Sequence, residues 1–306
     1  MDCIVTSPPH FQVRDYGMPG QLGMEPDING WVADLRAVAA ARVLKPHGAF
    51  WLNVADSFSA HPRYGAPAKS LLLGPERRLL GLARDGWLVR NRVVWAKTNP
   101  MPTSTRDRLN LTWELLVLLV RRRTYYFDLD AIREPHRSTQ RPRARTGALA
   151  RQPERNGWVG PLASNRNRLL EPGGGGVAGH RLGKNPGDVW PIATRGAGNG
   201  HHAVFPPDLV SRPILATCSP RVCGGCALPA APTTRRRGPT ASGPRCHAPV
   251  DVEPGIVLDP FYGTGTVGLV AQEHDRDWVG IELSPAYARF ARRRIATSEP
   301  ARPEAQ

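Results

Sequence analysis

Asp259-Pro260-Phe261-Tyr262-Gly263-Thr264-Gly265-Thr266 lies between a short apolar run, Gly255 to Leu258, and a helical pattern, Thr266 to Glu273. Continued to Gly268, the stretch reads G-x-G-x-x-G placed between a strand and a helix. Its glycines serve a tight turn, close approach of the backbone to a ligand, and close packing of helix on strand. A second strand is predicted from Trp278 to Glu282, which sets an acidic side chain where nucleotide-binding βαβ units grip ribose hydroxyls. Loop, helix and acid together predict an α/β fold that takes an adenosine-bearing cofactor. The motif alone does not separate a nicotinamide dinucleotide from S-adenosylmethionine, because both present adenosine.

Only about forty residues follow the loop, enough for two parallel strands, so the rest of the sheet must come from the N-terminal half. The nucleotide-binding unit therefore stands last in the chain, an order unlike that of a dehydrogenase. The N-terminal half supplies the pattern required. Ile4-Val5 reads as a strand stub, Ile28 to Val43 as a helix stopped by Lys45-Pro46-His47-Gly48, and Ala49 to Val54 as a buried strand. Ala68 to Asp85 reads as a second helix and Trp87 to Lys97 as a strand. Trp113 to Val120 pairs in this reading with Thr124 to Phe127, as a hairpin across Arg121-Arg122-Arg123. Pro285 to Ile295 completes the pattern as a basic amphipathic helix.

The 306 residues carry a formal net charge of +15 and are 41% hydrophobic, which permits a sizeable core and points to a polyanionic partner. The excess is not evenly spread. Between Arg133 and Lys184, eleven basic residues face only Glu134, Glu154 and Glu171, and Gly, Pro and Asn replace apolar periodicity. A composition bias would spread more evenly, so the nucleic-acid reading gains over that of a solvated basic linker. The N-terminus lacks a signal-peptide pattern and no apolar run approaches membrane-spanning length, so a soluble, cytoplasmic protein without a membrane partner is expected. Five cysteines, at 3, 218, 223, 226 and 246, do not suit a disulfide framework. Cys223-Gly224-Gly225-Cys226 followed by Cys246-His247 is compatible with a Cys3His zinc site, with free thiols in a surface insert as the alternative.

Near the start stands Thr6-Ser7-Pro8-Pro9-His10-Phe11. Neither proline has an N–H and both have a fixed φ, so the loop is stiff and its carbonyls can accept from a ligand. An exocyclic amine on a base has its lone pair delocalised into the ring. Two acceptors, Ser7 Oγ and the Pro8 carbonyl, would hold both hydrogens and localise that pair for direct attack on a methyl donor.

This proline loop taken with the C-terminal glycine loop resembles the amino-methylating DNA methyltransferases of permuted motif order, in which the catalytic tetrad comes first and the cofactor loop last. Asp15-Tyr16-Gly17, Leu44-Lys45-Pro46-His47-Gly48, Trp51-Leu52-Asn53, Gly86-Trp87, Arg90-Asn91, Trp95-Ala96-Lys97 and Tyr125-Tyr126-Phe127-Asp128 are similar to that family's intermediate blocks. The resemblance implies a Rossmann-like methyltransferase sheet with irregular insertions. It also implies S-adenosylmethionine as cofactor and double-stranded DNA as partner, with the target base flipped beside Ser7. It makes Ser7, Pro8, Pro9 and His10 the catalytic tetrad. Asp259, Pro260, Phe261, Gly263, Thr264, Gly265, Thr266 and Glu282 become cofactor contacts, joined by Phe205 and Pro206 of the segment His202 to Pro206, which closes over the methionine end. The chain then divides into catalytic and cofactor-binding halves, 1–132 and 253–297, a basic target-recognition segment, 133–190, a cofactor-closing segment, 191–217, a cysteine-containing insert, 218–252, and a tail, 298–306. Ser at the first tetrad position favours N4 of cytosine over N6 of adenine, and a cognate restriction endonuclease is a compatible partner. The chain departs from the family pattern at His10, where Tyr, Phe or Trp is usual, and in lacking a Gly-Asp block and strand before the tetrad. An upstream extension is accordingly expected to strengthen cofactor binding. The competing readings are a DNA-binding relic without turnover and a methyltransferase for RNA or protein amides.

Overall fold

The computed structural model describes residues 1–40, 43–135, 182–197, 201–204, 206–231 and 241–298. In chain order the elements are β1 (Cys3–Thr6), α1 (Ile28–Ala40), β2 (Ala49–Val54), α2 (Gly74–Arg84), β3 (Leu88–Lys97), β4 (Trp113–Val120), β5 (Phe127–Asp128), β6 (Val189–Ile192), β7 (Arg195–Ala197), β8 (His201–Val204), α3 (Pro207–Thr217), β9 (Val222–Cys223), β10 (Ala241–Ser242), β11 (Val252–Glu253), β12 (Ile256–Asp259), α4 (Thr266–Glu273), β13 (Asp277–Gly280) and α5 (Pro285–Ala296). The chain forms two compact units, Met1–Asp128 with Gly187–Gln306, and Leu129–Pro186.

The first unit is built on a seven-stranded sheet in the order β13-β12-β1-β2-β4-β3-β6. β13, β12, β1 and β2 run parallel, β4 runs antiparallel to β2 and β3, and β6 is parallel to β3. Strand alternation divides the buried side chains between two faces. On one face Ile4, Phe50, Leu52, Val117, Leu119 and Leu258 join Leu79 and Leu82 of α2. On the other, Cys3, Val5, Trp51, Leu116, Leu118 and Val257 join Leu209, Val210 and Ile214 of α3 and Val267 and Val270 of α4. With both faces covered, the central strands read as unbroken apolar runs, as parallel sheets require.

Asp2 locks the centre of this sheet. Its carboxylate accepts from Lys45 Nζ at 2.9 Å and from the Ile256 N–H at 3.0 Å, and its backbone N–H donates to the Ile256 carbonyl at 2.9 Å. These bonds, with His47 beside them, hold the carboxyl below its ordinary value although burial pushes the other way.

Several boundaries differ from the pattern reading. α2 begins at Gly74 and not at Ala68, because residues before it form a separate loop in which Phe58 bridges Leu71. The Asp56 carboxylate, accepting from the Leu73 and Gly74 N–H groups at 3.0 and 3.1 Å, then starts the helix before Pro75. The expected hairpin after β4 does not form. Both edges of β4 are taken by β2 and β3, so the chain beyond the Arg turn pairs elsewhere: Phe127 and Asp128 with Ser242 and Ala241. β6 joins the sheet edge from a stretch in which no strand was expected. β13 ends at Gly280, two residues before Glu282.

In the second unit, Glu134 and Lys184 exchange backbone hydrogen bonds of 3.0 and 2.8 Å, and Arg133 donates to Asp130 and to the Gly183 carbonyl. The rest of the basic segment, 136–181, lies outside the described residues. Among the described residues no helix is long and apolar enough to cross a membrane.

Candidate active site

β1 connects through α1 to β2 on one side, whereas β12 connects through α4 to β13 on the other. The adjacent strands β12 and β1 thus flank the point where the winding reverses, and in such sheets a crevice opens beyond the carboxyl ends of the strands. The two loops singled out in the sequence leave from those ends, Pro260 after Asp259 and Ser7 after Thr6. Together they line a cavity of about 90 Å³, with Ser7, Pro8, Pro9 and His10 contributed by one loop and Asp259, Phe261, Gly263, Thr264 and Thr266 by the other side. A larger cavity of about 390 Å³ adjoins it through the shared residues Ser7, Pro9, Tyr16, Phe261 and Gly263. Pro260 and Glu282 line the larger one.

The glycine loop is held mainly by residues near it in the chain. Gly263 and Gly265 have φ of +52° and +80°, in the region where side chains are strained. A Cβ on Gly265 would come within 2.9 Å of the Ala291 Cβ, so this glycine lines neither cavity but lets α5 pack against the loop. Gly268 makes room for the Tyr262 side chain, which stacks on Trp278 with ring centroids 5.3 Å apart. The third glycine thus serves packing through an intervening ring. Glu282 accepts from the Gly263 N–H at 2.7 Å and the Ser284 N–H at 2.8 Å. Its oxygens keep further lone pairs for ligand hydroxyls. Asp259 accepts from the Thr6 hydroxyl at 2.5 Å and the Phe261 N–H at 2.9 Å. Burial pushes its carboxyl up to about 7 against those two bonds, and the Glu282 charge adds to the rise.

The proline loop is held from farther away. Ser7 Oγ–H donates to Asn53 Oδ1 at 2.8 Å, and Asn53 Nδ2 donates to the Leu115 carbonyl at 3.1 Å. Asn53 is buried on β2, and the second bond fixes which way its amide faces. The Ser7 hydrogen is thereby committed, and the hydroxyl offers acceptor lone pairs. The Pro9 carbonyl accepts from the Trp31 indole N–H at 2.9 Å. His10 is tethered on both sides of its ring, with Nδ1 accepting from the Ala55 N–H at 3.5 Å and Nε2 lying 3.8 Å from Glu114 Oε2. Glu114 also pairs with Lys97 Nζ at 2.6 Å. Burial opposes ionisation of Glu114, but the hydrogen bond with His10 and the Lys97 ammonium hold its carboxyl at about 2.

Asn53, Glu114 and Lys97, and Tyr16, Gln21, Ile281, Leu283 and Tyr287 among the residues lining the larger cavity, were not assigned to the site from the sequence pattern. Asn53 and Lys97 stand in the family-like blocks, and Tyr16 does as well, which was the available signal. Pro206 precedes α3 at its N-cap and is not among the residues lining either cavity, and Phe205 lies outside the described residues. The cysteines fall into two groups. Cys3 and Cys218 are buried in the core, where burial pushes the Cys3 thiol up to about 12 and that of Cys218 well above its ordinary value. Cys223, Cys226 and Cys246 come together, whereas His247 is exposed and not part of their group.

A doubly covered α/β sheet with a glycine loop and a proline loop at its switch point defines a nucleotide-dependent enzyme class. Residues 1–293 match the family model of the N6_N4_Mtase DNA methylases. The chain belongs to that family. It is 31% identical to the Type II methyltransferase M.SmaI of Serratia marcescens over 317 aligned positions, which cover 96% of this chain and 84% of that protein. It is 30% identical to M.XycI of Xanthomonas campestris pv. cyanopsidis, with 96% and 80% covered. Among solved structures, the PvuII DNA methyltransferase (cytosine-N4-specific) superposes with a TM-score of 0.56 at 16% identity, covering 98% of this chain and 81% of that one. A Thermus thermophilus DNA modification methylase, TTHA0409, solved with S-adenosyl-L-methionine, gives 0.51 at 19% identity, with 98% and 87% covered. The fold is accordingly the Rossmann-like sheet of S-adenosylmethionine-dependent DNA methyltransferases.

Proposed function

We propose that this chain transfers the methyl group of S-adenosylmethionine to the exocyclic N4 of a cytosine in double-stranded DNA. The observation that carries the reading is the convergence of the Ser7-Pro8-Pro9-His10 loop and the glycine loop on one cavity at the switch point of the sheet. The larger cavity suits adenosine, with Glu282 for the ribose hydroxyls and Ile281, Leu283 and Tyr287 as surroundings for the adenine. Asp259 lies toward the smaller cavity, where a carboxylate suits the positively charged methionine end. Bound cofactor supplies an electrophilic methyl on a sulfonium.

The protein's own part is to make the amine nucleophilic. Ser7 Oγ, its hydrogen engaged by Asn53, and the Pro8 carbonyl accept the two amine hydrogens and localise the nitrogen lone pair. Orientation and preorganised acceptors carry such a reaction, and the amine loses one proton to solvent. His10 offers its imidazole face to the flipped base, a smaller stacking surface than a six-membered aromatic ring. The basic segment between Arg133 and Lys184 supplies charge for the DNA backbone. N4 of cytosine is favoured by Ser at the first tetrad position, and a restriction endonuclease of matching specificity by the relatives' names.

The test is transfer from tritiated S-adenosylmethionine offered separately to duplex DNA, RNA and protein, with nucleosides of the labelled product separated chromatographically. N4-methylcytosine is the expected product. Label in N6-methyladenine would reverse the choice of base. Label only in RNA or protein, or DNA binding without transfer, would overturn the reading.

A further inference from the structure

The insert between α3 and β12 leaves the sheet at Ser219 and returns at Gly255, whose N–H donates to the Ser219 carbonyl at 3.1 Å. Within it, Cys223 to Leu228 folds into a tight turn: the Ala227 N–H reaches the Cys223 carbonyl at 2.8 Å, the Cys223 N–H reaches the Leu228 carbonyl at 2.9 Å, and Ala227 takes a φ of +55°. This turn brings Cys226 back beside Cys223. β9 pairs with β11, and the Val250 N–H points at Cys223 Sγ at 3.4 Å. Cys246 arrives by a separate bridge, its N–H on the Pro229 carbonyl and its own carbonyl receiving the Ala231 N–H, each at 2.9 Å. The three sulfurs lie within 4.8 Å of one another.

That spacing is close to what a tetrahedral thiolate site needs. Metal–sulfur bonds of roughly 2.3 Å separate adjacent sulfurs by about 3.8 Å. All three cysteines are free, and a disulfide between any two would leave the third unused. Soft sulfur donors select thiophilic metals, and a turn stabilised by N–H groups directed at sulfur supports thiolates without buried cationic side chains.

We infer that Cys223, Cys226 and Cys246 bind one zinc ion, which clips the two ends of the insert together just ahead of the strand that carries Asp259. The site is separate from both cavities of the methyltransferase site. Among the described residues no fourth ligand joins the three thiols, and His247 is not needed for binding. Three thiols release protons as the metal binds, with no change of oxidation state.

The experiment uses the full chain, expressed in zinc-supplemented medium and purified without chelator. Elemental analysis should find one zinc per chain, and cobalt(II) added to the stripped protein should give the intense near-ultraviolet bands of thiolate ligation. Cys226→Ser, at an exposed position, should lose the zinc, and His247→Ala should retain it. Stripping the wild-type chain should lower Tm by several degrees, with no such drop for Cys226→Ser. Absence of zinc together with absence of the cobalt bands would overturn the inference, and the cobalt titration decides even if Cys226→Ser does not fold. Iron as the bound metal, zinc retained by Cys226→Ser, or zinc lost from a folded His247→Ala would each overturn it as well. None of these readouts depends on methyl transfer, so failure here and failure of the proposed activity are distinguishable.

Discussion

The two loops of the candidate site leave adjacent strands at the same end of the sheet, yet they are held in different ways. The glycine loop is fixed by backbone geometry and mainly by residues close to it in the chain, Phe261, Tyr262, Glu282 and Ala291, with Thr6 a distant partner of Asp259. The proline loop is fixed by groups that arrive from remote parts of the chain: the side chains of Trp31, Asn53 and Glu114 and the backbone N–H of Ala55. One is a cradle whose shape is local. The other is a set of acceptors whose orientation depends on tertiary structure. Substitutions should therefore separate the two, with catalysis answering to the proline loop and stability or cofactor affinity to the glycine loop.

The largest effect is expected from Ser7→Ala. Loss of one preorganised hydrogen-bonding group should lower kcat by about 10²- to 10³-fold. Calorimetric affinity for S-adenosylmethionine should be nearly unchanged, because Ser7 accepts from the amine and not from the cofactor. A parallel loss of cofactor binding would break the distinction.

Gly265→Ala should act on the other loop. A side chain in the left-handed region costs about 1–2 kcal/mol, and the Cβ would press on Ala291 at 2.9 Å. A Tm several degrees lower and weaker cofactor binding are expected, measured by thermal unfolding and calorimetry.

Asn53→Ala tests the remote support of Ser7. The hydroxyl would be free to turn its hydrogen toward the cavity, and kcat should fall about tenfold, the equivalent of one ordinary hydrogen bond. KM for the cofactor should stay as it is. A change in KM alone would assign Asn53 to cofactor binding.

The smallest effect is a pH dependence. The Asp259 carboxyl, raised to about 7 by burial, contributes stability that is present below its ordinary value of 3.8 and is lost as pH rises through about 7. Glu114 has the opposite sign. Held at about 2, it contributes stability present above its ordinary value of 4.5 and lost as pH falls toward about 2. A positively charged cofactor end favours ionised Asp259, so affinity should rise a few-fold between about pH 6 and about pH 8, with proton release visible as buffer-dependent binding heat. Asp259→Asn should flatten this profile.

The same contrast explains what could be read from the amino-acid sequence. The G-x-G-x-x-G loop, its flanking strand and helix and the later Glu282 are local features, and the order of the chain required the sheet to draw on both ends. β2 was legible to the residue, because Ala49 to Val54 is an unbroken buried run bounded by a turn. Pattern failed where a partner outside the window decides. Asp56 sets the start of α2, and β2 and β3 occupy both edges of β4 and so prevent the expected hairpin. Glu114 looked like an ordinary strand residue, and Asn53 and Lys97 stood in family-like blocks without any local mark of the bonds to Ser7 and to Glu114 that tie them to the site. The grouping of Cys223, Cys226 and Cys246 was expected from the Cys-Gly-Gly-Cys and Cys-His pattern, whereas His247, expected with them, stands outside the thiol group.

The most direct test of two loops forming one methyl-transfer site is a crystal structure of this chain with S-adenosylmethionine bound. The ribose hydroxyls are expected on Glu282 and the adenine beside Ile281 and Leu283, with the sulfonium methyl directed at the space between Ser7 and the Pro8 carbonyl. Cofactor bound outside these two cavities, or with its methyl turned away from Ser7, would contradict the account.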